Sequence, residues 1–236
     1  MDANNNNILK RKETEKKEEE KVEEEKEQHV KKVKLNKKRG KLVATSGKEG
    51  TGKSTICTYL QNEHGFISYS IASVLKKIVS IIFNWPYEIL LADTEERAQA
   101  RLKLPERLVC GKMWNFRTAL QFVGTDLLRT HMGENIFCDI ADAEIESLLE
   151  QGHNVCVSDP RFANEIEMVQ KKGGVLFAVY RNDNDLIALP NEHVSTNEFI
   201  KHLQHMYKIP NKGTKEELYH MMFGIINKIL ADDPNY

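Results

Sequence analysis

The chain of 236 residues lacks a cysteine framework, a long apolar run and a sizeable net charge. Its cysteines form no C-x-x-C pair, and no histidine stands beside them at ligand spacing. Neither a zinc site nor a set of disulfides is therefore predicted, and a reducing compartment fits best. The four residues are Cys57, Cys110, Cys138 and Cys156.

No stretch of the sequence has the pattern of a membrane span. The most apolar run, residues 71–83, is interrupted by Lys76 and Lys77 and falls short of the roughly 20 residues that a spanning helix needs. The first residues are rich in asparagine and then densely charged, which is not the pattern of a secretory signal peptide. We therefore expect a soluble, cytoplasmic protein that does not bind membranes.

Acidic and basic residues nearly cancel, with 34 Lys and Arg against 35 Asp and Glu and a net charge of -1. This balance argues against a dedicated nucleic-acid binder, and no stable nucleic-acid binding is expected. The charge is unevenly divided, however. Residues 1–40 contain 13 basic and 10 acidic side chains and carry +3, which leaves -4 for residues 41–236.

Residues 1–40 contain almost no apolar side chains and are predicted to form a charged, disordered tail. The tail ends in a basic block, KKVKLNKKR, from Lys31 to Arg39. This block could be a nuclear address, a nucleic-acid contact or a solubilising linker. Residues 41–236 are long enough for one well-buried domain and are predicted to form it.

From residue 41 onward, short β-branched apolar runs alternate with amphipathic stretches at helical spacing. This alternation predicts an α/β fold with a parallel sheet sandwiched between helices. Strands are predicted at residues 42–46, 65–69, 154–158 and 175–180. Helices are predicted at residues 55–62, 71–83, 93–106, 114–128, 139–151, 164–172, 199–206 and 215–230.

The strongest motif is GKEGTGKS at residues 47–54, which satisfies G-x-x-x-x-G-K-[ST] between a predicted strand and a predicted helix. Its glycines let backbone N–H groups turn toward a phosphate, and the following helix presents its positive end to the anion. Lys53 would lie between the β- and γ-phosphates, and Ser54 would offer a hydroxyl to magnesium. An ordinary glycine-rich turn is the alternative. The predicted ATP-binding residues are Gly47, Lys48, Glu49, Gly50, Thr51, Gly52, Lys53, Ser54 and Thr55.

Asp159 and Arg161 follow a second apolar strand. The run NVCVSD ends in an acid, as the strand that carries a magnesium-associated Asp does in P-loop proteins. Because the carboxyl ends of parallel strands line the ligand crevice, both residues should emerge next to the P-loop. The alternative for Asp159 is a helix N-cap.

Arginines are concentrated in the same part of the chain. Seven of the nine fall between residues 97 and 181, and arginine suits planar, bidentate contacts with phosphate. This distribution predicts a second phosphate site, although surface ion pairs are the alternative, above all for the three beside glutamates. The seven are Arg97, Arg101, Arg107, Arg117, Arg129, Arg161 and Arg181, and the first three are those beside glutamates.

Two segments together resemble the deoxynucleoside monophosphate kinases of large DNA bacteriophages and large DNA viruses. They are WNFRTALQFVGTDLLR, from Trp114 to Arg129, and VSDPRFANE, from Val157 to Glu165. The resemblance covers roughly residues 42–200. It also includes the P-loop, Ile67 to Trp85, Gly173 to Arg181, and the segment His193-Val194-Ser195.

The resemblance implies a P-loop NTPase fold with a helical acceptor and lid insertion. It also implies transfer of the γ-phosphoryl of ATP, with Mg²⁺, to a deoxynucleoside monophosphate, giving dNDP and ADP for DNA-precursor synthesis. A viral protein of this family would act in the host cytoplasm, and a homodimer is left open. The polar stretch 93–113 would form part of a mobile cover that excludes water from the acceptor.

The site residues implied by the resemblance fall into three groups. The catalytic group is Lys53, Arg117, Arg129, Asp159 and Arg161. The acceptor-binding group is Lys76, Trp85, Arg117, Gln121, Asp126 and Arg161. The metal group is Ser54 and Asp159, the latter through water. Trp85 could instead belong to the core, Gln121 to a helix surface, and Asp126 to a cap.

Two other functions fit the same motif. One is a P-loop kinase for another small phosphorylated metabolite, because a P-loop specifies the nucleotide but not the acceptor. The other is an ATP-binding regulatory or nucleic-acid-associated protein in which the basic block of residues 31–39 carries the function.

Overall fold

A computed structural model describes residues 38–91, 95–158, 160–188 and 199–232. The predictions for residues 1–37, Asp159 and the segment His193-Val194-Ser195 lie outside these residues. Within the described part of the chain, no helix is long and apolar enough to cross a membrane.

The strands and helices follow one another in the order βα typical of parallel sheets. The strands are β1 (Leu42–Ser46), β2 (Ile67–Tyr69), β3 (Arg107–Val109), β4 (Lys112–Trp114), β5 (Val155–Ser158), β6 (Val175–Tyr180) and β7 (Tyr207–Pro210). The helices are α1 (Lys53–His64), α2 (Ser73–Phe83), α3 (Tyr87–Leu91), α4 (Glu95–Leu102), α5 (Phe116–Gln121), α6 (Thr130–Met132), α7 (Ile136–Glu150), α8 (Ala163–Lys171) and α9 (Lys215–Leu230). A π-helical segment (Phe122–Arg129) joins α5 to α6, and two 3₁₀ helices (Asp183–Leu186 and Phe199–His205) flank a gap in the described residues.

Five of the strands form a parallel sheet in the order β2-β5-β1-β6-β7. Alternate residues of each strand point to opposite faces, and both faces are covered. One face packs on α7 and α8, and the other packs on α1 and α9. The predicted α/β class, with a parallel sheet between helices, is confirmed.

A smaller lobe lies between β2 and α7 in the chain. Its core joins α2, α3, β4 and α5 through Phe83, Trp85 and Trp114. The two aromatic rings of Phe83 and Trp85 stack with centroids 5.1 Å apart. β3 and β4 form a hairpin whose turn residues, Cys110 and Gly111, have φ values of 52° and 73°, the type I′ pattern of two-residue hairpins. The predicted insertion is therefore helical with an added hairpin.

Sequence patterns predicted four of the five strands of the main sheet and missed one of its two edge strands, β7. β7 contains one buried residue, Ile209, and ends in Pro210, so its pattern is too short and too polar to indicate a strand. The predicted helix at residues 199–206 is a 3₁₀ helix at residues 199–205. α9 matches its predicted bounds because Thr214 and Glu217 form a capping box.

The described structure begins at Lys38, three residues inside the predicted tail. Arg39 binds both carboxylate oxygens of Glu146 at 2.9 Å, and Gly40 donates its N–H to the carbonyl of Leu149. Lys172 also binds Glu146, at 2.7 Å. Hydrogen bonds from Lys172 and Arg39 lower the pKa of Glu146. The end of the tail is thereby attached to α7.

The lowered pKa of Glu146 makes a prediction about stability and pH. A carboxyl group whose pKa is lower when folded adds stability above its unfolded pKa and loses it as the pH falls through the folded value. Glu146→Gln should therefore reduce the free energy of unfolding at pH 7 by about 1 kcal/mol or less, because the pair is partly exposed to solvent. Urea denaturation from pH 7 to pH 3 should show this difference shrinking in acid. A difference that stays constant with pH would contradict the prediction.

Candidate active site

The P-loop lies at the carboxyl edge of the sheet, between β1 and α1. Strand β1 is buried along its whole length and is hydrogen-bonded to β5 on one side and β6 on the other. The loop therefore leaves a strand held on both sides, and its last glycine, Gly52, is the N-cap of α1. The N–H groups of the first helical turn point out of the helix toward the loop, which suits this end of α1 to an anion.

Lys53 is folded back over the loop. Its Nζ donates to the carbonyl oxygens of Gly47 and Lys48 at 2.8 and 2.7 Å. The hydroxyl of Thr51 also donates to the Lys48 carbonyl at 2.9 Å. These bonds hold the ammonium group beside the loop amides, the position in which it would meet phosphate oxygens.

Ser54 is the described residue that fits a magnesium ion. Its side chain is exposed in the first turn of α1, and a hydroxyl next to the P-loop lysine is a usual ligand in P-loop proteins. Mg²⁺ also takes its ligands largely from substrate phosphates and water. The second predicted metal residue, Asp159, lies outside the described residues.

Asn211, which sequence reasoning missed, supports the loop from behind. Its side-chain amide donates to the carbonyl of Thr51 at 2.8 Å, and its backbone N–H donates to Tyr180 at 2.7 Å. Asn211 is 6% exposed. A Pro-Asn-Lys-Gly sequence signals only a turn, and nothing in the sequence connects this turn to a loop 160 residues earlier.

The end of β6 forms a second support. Arg181 donates from Nε to the carbonyl of Gly50 at 2.8 Å, and Lys48 donates to the carbonyl of Asn184 at 3.3 Å. Asp185 accepts the backbone N–H of Arg181 at 2.8 Å and so fixes the turn after β6. The motif residues thus rest on both β6 and β7.

Two arginines singled out by their sequence pattern, Arg101 and Arg117, belong to helices α4 and α5 of the smaller lobe. Arg101, on α4, packs its guanidinium over the ring of Phe116 at 5.1 Å, and its Nε is buried without a hydrogen-bond partner. Burial lowers the pKa of Arg101, the charge of Glu49 raises it, and the charge of Arg117 lowers it again. Glu49 belongs to the P-loop and Arg117 to α5, so the charges of both elements act on Arg101. For Arg101 the sequence pattern favours a surface ion pair at least as strongly as a phosphate contact.

The helix of residues 116–132 carries half of the predicted acceptor-binding residues, Arg117, Gln121 and Asp126. Gln121 and Asp126 are exposed on it, and its middle is the π-helical segment, a feature that often occurs at functional sites. Thr130 donates its hydroxyl to the carbonyl of Thr125 at 3.0 Å. Since a π segment contains an extra residue per turn, it changes the direction of every side chain that follows it.

Arg129 lies at the end of the π segment and points into the protein. It donates to Glu165 at 3.2 Å and to the carbonyl of Glu134 at 2.8 Å. Its side chain is 15% exposed, and that of Glu165 is 7% exposed. This geometry favours a structural link over the predicted contact with a phosphate.

Arg161 belongs to the turn before α8. The backbone N–H of Arg161 donates to Glu165 at 2.8 Å, and the carbonyl of Pro160 accepts the hydroxyl of Ser46 at 2.8 Å. Ser46 directly precedes the P-loop, so this bond places the turn before α8 next to the P-loop. This agrees with the prediction that the residues after β5 emerge beside the P-loop. The side-chain role of Asp159 stays a prediction.

Of the two acceptor candidates Trp85 and Lys76 in the smaller lobe, the structure contradicts only Trp85. Trp85 is 2% exposed and donates its indole N–H to Pro105 at 2.9 Å, so it belongs to the core and cannot stack on a base. Lys76 is half-buried on α2 and donates to the carbonyl of Leu91 at 3.2 Å. Its contact with an acceptor stays a prediction.

A parallel sheet between helices, with a glycine-rich loop and its lysine after the central strand β1, defines a P-loop nucleotide-binding protein. No protein-family model matches the chain. The chain is 30% identical over 195 residues to a protein of Acanthamoeba polyphaga mimivirus named "Putative deoxynucleotide monophosphate kinase", covering 79% of this chain and 96% of that one. The chain therefore belongs to the deoxynucleoside monophosphate kinase family of large DNA phages and viruses.

Among solved structures, the chain is similar to dephospho-CoA kinase from Campylobacter jejuni. The TM-score is 0.48 with 15% sequence identity, and the match covers 80% of this chain and 97% of that one.

The two glycines Gly50 and Gly52 provide a matched test of the loop. Both have positive φ, 78° and 104°, but a Cβ on Gly52 would come within 2.4 Å of the Asn211 amide, whereas one on Gly50 meets nothing within 4 Å. Gly50→Ala should incur only the backbone cost of roughly 1–2 kcal/mol and weaken ATP binding by about tenfold. Gly52→Ala should weaken it at least about a hundredfold. Calorimetric titration with ATP measures both, and equal losses would show that Asn211 does not constrain the loop.

Proposed function

We propose that this protein transfers the γ-phosphoryl group of ATP to the α-phosphate of a deoxynucleoside monophosphate, giving dNDP and ADP. The observation that carries the proposal is the P-loop at the carboxyl edge of the parallel sheet, where Lys53 Nζ is held beside the loop by the carbonyls of Gly47 and Lys48. Arg101 and Arg117 of the smaller lobe would add cations for a reaction in which two phosphorylated molecules must meet. The name of the mimivirus relative supports the same acceptor.

On the donor side, the P-loop amides and Lys53 would bind the β- and γ-phosphates of ATP. Ser54 would hold Mg²⁺, with Asp159 contributing through water. When bound, Mg²⁺ neutralises charge that develops on the phosphate oxygens. Because Asn211 and Arg181 fix the carbonyls of Thr51 and Gly50, the loop needs little rearrangement to receive the triphosphate.

On the acceptor side, Arg117 and Arg161 would hold the α-phosphate of the monophosphate, with Lys76 nearby. We add Arg101 to this group. Its Nε and that of Arg107 are both buried without a partner in the described structure, and a phosphate oxygen would supply one. Arg101 is chosen because the charge of Glu49 in the P-loop also acts on it. Gln121 and Asp126, both exposed on the helix of residues 116–132, would contact the base or the sugar.

The reaction requires positioning and charge neutralisation more than covalent chemistry. The two facing phosphates repel each other, and fixed cations around them lower that repulsion in the transition state. The smaller lobe, with its hairpin at β3 and β4, would cover the acceptor and exclude water, which would otherwise take the phosphoryl group from ATP.

An acceptor panel tests the proposal directly. Purified protein with ATP and Mg²⁺ should release ADP with at least one deoxynucleoside monophosphate, followed by a coupled assay. Lys53→Ala should lower this turnover by several orders of magnitude, because the lysine stabilises the transferring group. Turnover only with a non-nucleotide acceptor, such as a phosphorylated small metabolite, would refute the proposed acceptor. Near-normal turnover in Lys53→Ala would refute the P-loop assignment.

The arginines of the smaller lobe can be tested against a neighbour in the same lobe. Arg101→Met and Arg117→Met should each lower kcat/KM for the acceptor about a hundredfold or more, while the Kd for ATP stays within about threefold. Lys112→Met is the control, because Lys112 is an exposed cation on β4 of the same lobe, with its ammonium over the ring of Trp114 at 4.1 Å. Steady-state kinetics with varied acceptor measures the effect. A loss in Lys112→Met as large as in the other two would point to a damaged lobe instead.

A further inference from the structure

Glu165, at the start of α8, collects three hydrogen bonds in a buried position. Its side chain accepts the backbone N–H groups of Arg161 at 2.8 Å and Phe162 at 3.3 Å, and the guanidinium of Arg129 at 3.2 Å. Glu165 is 5% exposed. Oε2 accepts the two backbone N–H groups of the turn before α8, and Oε1 accepts the hydrogen bond from Arg129.

Arg129 is fixed at its other side as well. It donates to the carbonyl of Glu134 at 2.8 Å, and its guanidinium lies over the rings of Phe162 at 4.5 Å and Phe137 at 5.2 Å. A planar guanidinium held by two acceptors and two rings has little freedom to move. The helix of residues 116–132 is thus rigidly joined to the turn of residues 160–162.

The same turn is also joined to the P-loop strand. The hydroxyl of Ser46, at the end of β1 and fully buried, donates to the carbonyl of Pro160 at 2.8 Å. One short turn is therefore held from the acceptor side by Arg129 and Glu165 and from the donor side by Ser46. The turn carries Arg161, one of the proposed phosphate contacts.

The buried ion pair between Arg129 and Glu165 is not expected to add much to the free energy of unfolding. Burying two charges costs desolvation that their attraction often only balances. What the pair provides is a defined geometry between two elements that both border the reaction. A shift of about 1 Å in such an element can cost a hundredfold in rate.

We propose that Arg129 and Glu165 are positioning residues that set the turn of residues 160–162, and with it Arg161, relative to the acceptor-side helix. This role rests on the proposed phosphoryl transfer. It replaces direct phosphate binding by Arg129 with an action through Glu165 and the turn.

The test compares three variants in the full chain. Arg129→Lys keeps the positive charge but removes the planar guanidinium that lies over Phe137 and Phe162 and bridges Glu165 and Glu134. Glu165→Gln keeps an oxygen to cap α8 but presents an NH₂ group to Arg129. Glu146→Gln is the matched control. Glu146, on α7, forms an ion pair with Lys172 at the C-terminal end of α8, whereas Glu165 lies at the N-terminal end of α8.

The first two variants should lower kcat about tenfold to a hundredfold while the KM for ATP stays within about twofold. In Arg129→Lys, amide hydrogen exchange at Arg161 and Phe162, measured without substrates, should accelerate at least about tenfold. Glu146→Gln should change neither quantity, although it lowers the thermal unfolding temperature. Unchanged exchange in Arg129→Lys, a kcat within twofold of wild type, or an equal loss of kcat in the control would each overturn the positioning role.

Failure of the proposed function would look different. If the unmodified protein transferred phosphoryl groups to no deoxynucleotide, the acceptor would be wrong. The exchange at Arg161 and Phe162 would still decide whether Arg129 and Glu165 hold the turn.

Discussion

A turn that directs backbone N–H groups toward one anion is the constraint on which the rest of this structure depends. Such a turn contributes no hydrophobic contacts, and its carbonyl groups must find donors elsewhere. The fold supplies them from three sides. β1 is fixed between two strands, Arg181 takes the carbonyl of Gly50, and Asn211 takes that of Thr51. The sheet, its edge strand and α9 can be understood as the frame for this loop.

A second constraint follows from the charge of the domain, which is -4 over residues 41–236. A net-acidic protein has no broad positive field to attract two phosphorylated substrates. Its cations are instead placed one by one on different elements: Lys53 on α1, Arg101 on α4, Arg117 on α5 and Arg161 before α8. Recognition of this kind depends on geometry, so the contacts between those elements matter as much as the cations themselves.

The sequence predicted those parts of the fold and the site whose pattern lies within a few consecutive residues. The strands beside the P-loop, the loop itself and the capped helix α9 each have a pattern complete within a few residues. The contacts of Asn211, Arg101 and Arg129 depend on where distant elements pack, and no local pattern encodes them. Trp85 was wrongly predicted for the same reason. Its place in the segment that resembles the kinase family suggested a contact with the base, but packing against Phe83 buries the ring. Asn211 and Arg129 also show that polar residues near a site can act on the backbone instead of the ligand.

The bond between Asn211 and Thr51 joins residues that are 160 positions apart. Contacts of such long range are slow to form because a large loop must close first. During synthesis the P-loop emerges early, but one of its supports emerges only when nearly all of the domain has been made. A nascent chain would therefore contain the P-loop motif long before Asn211 can support the loop. Nucleotide that binds only the supported loop would stabilise the protein at the last stage of folding.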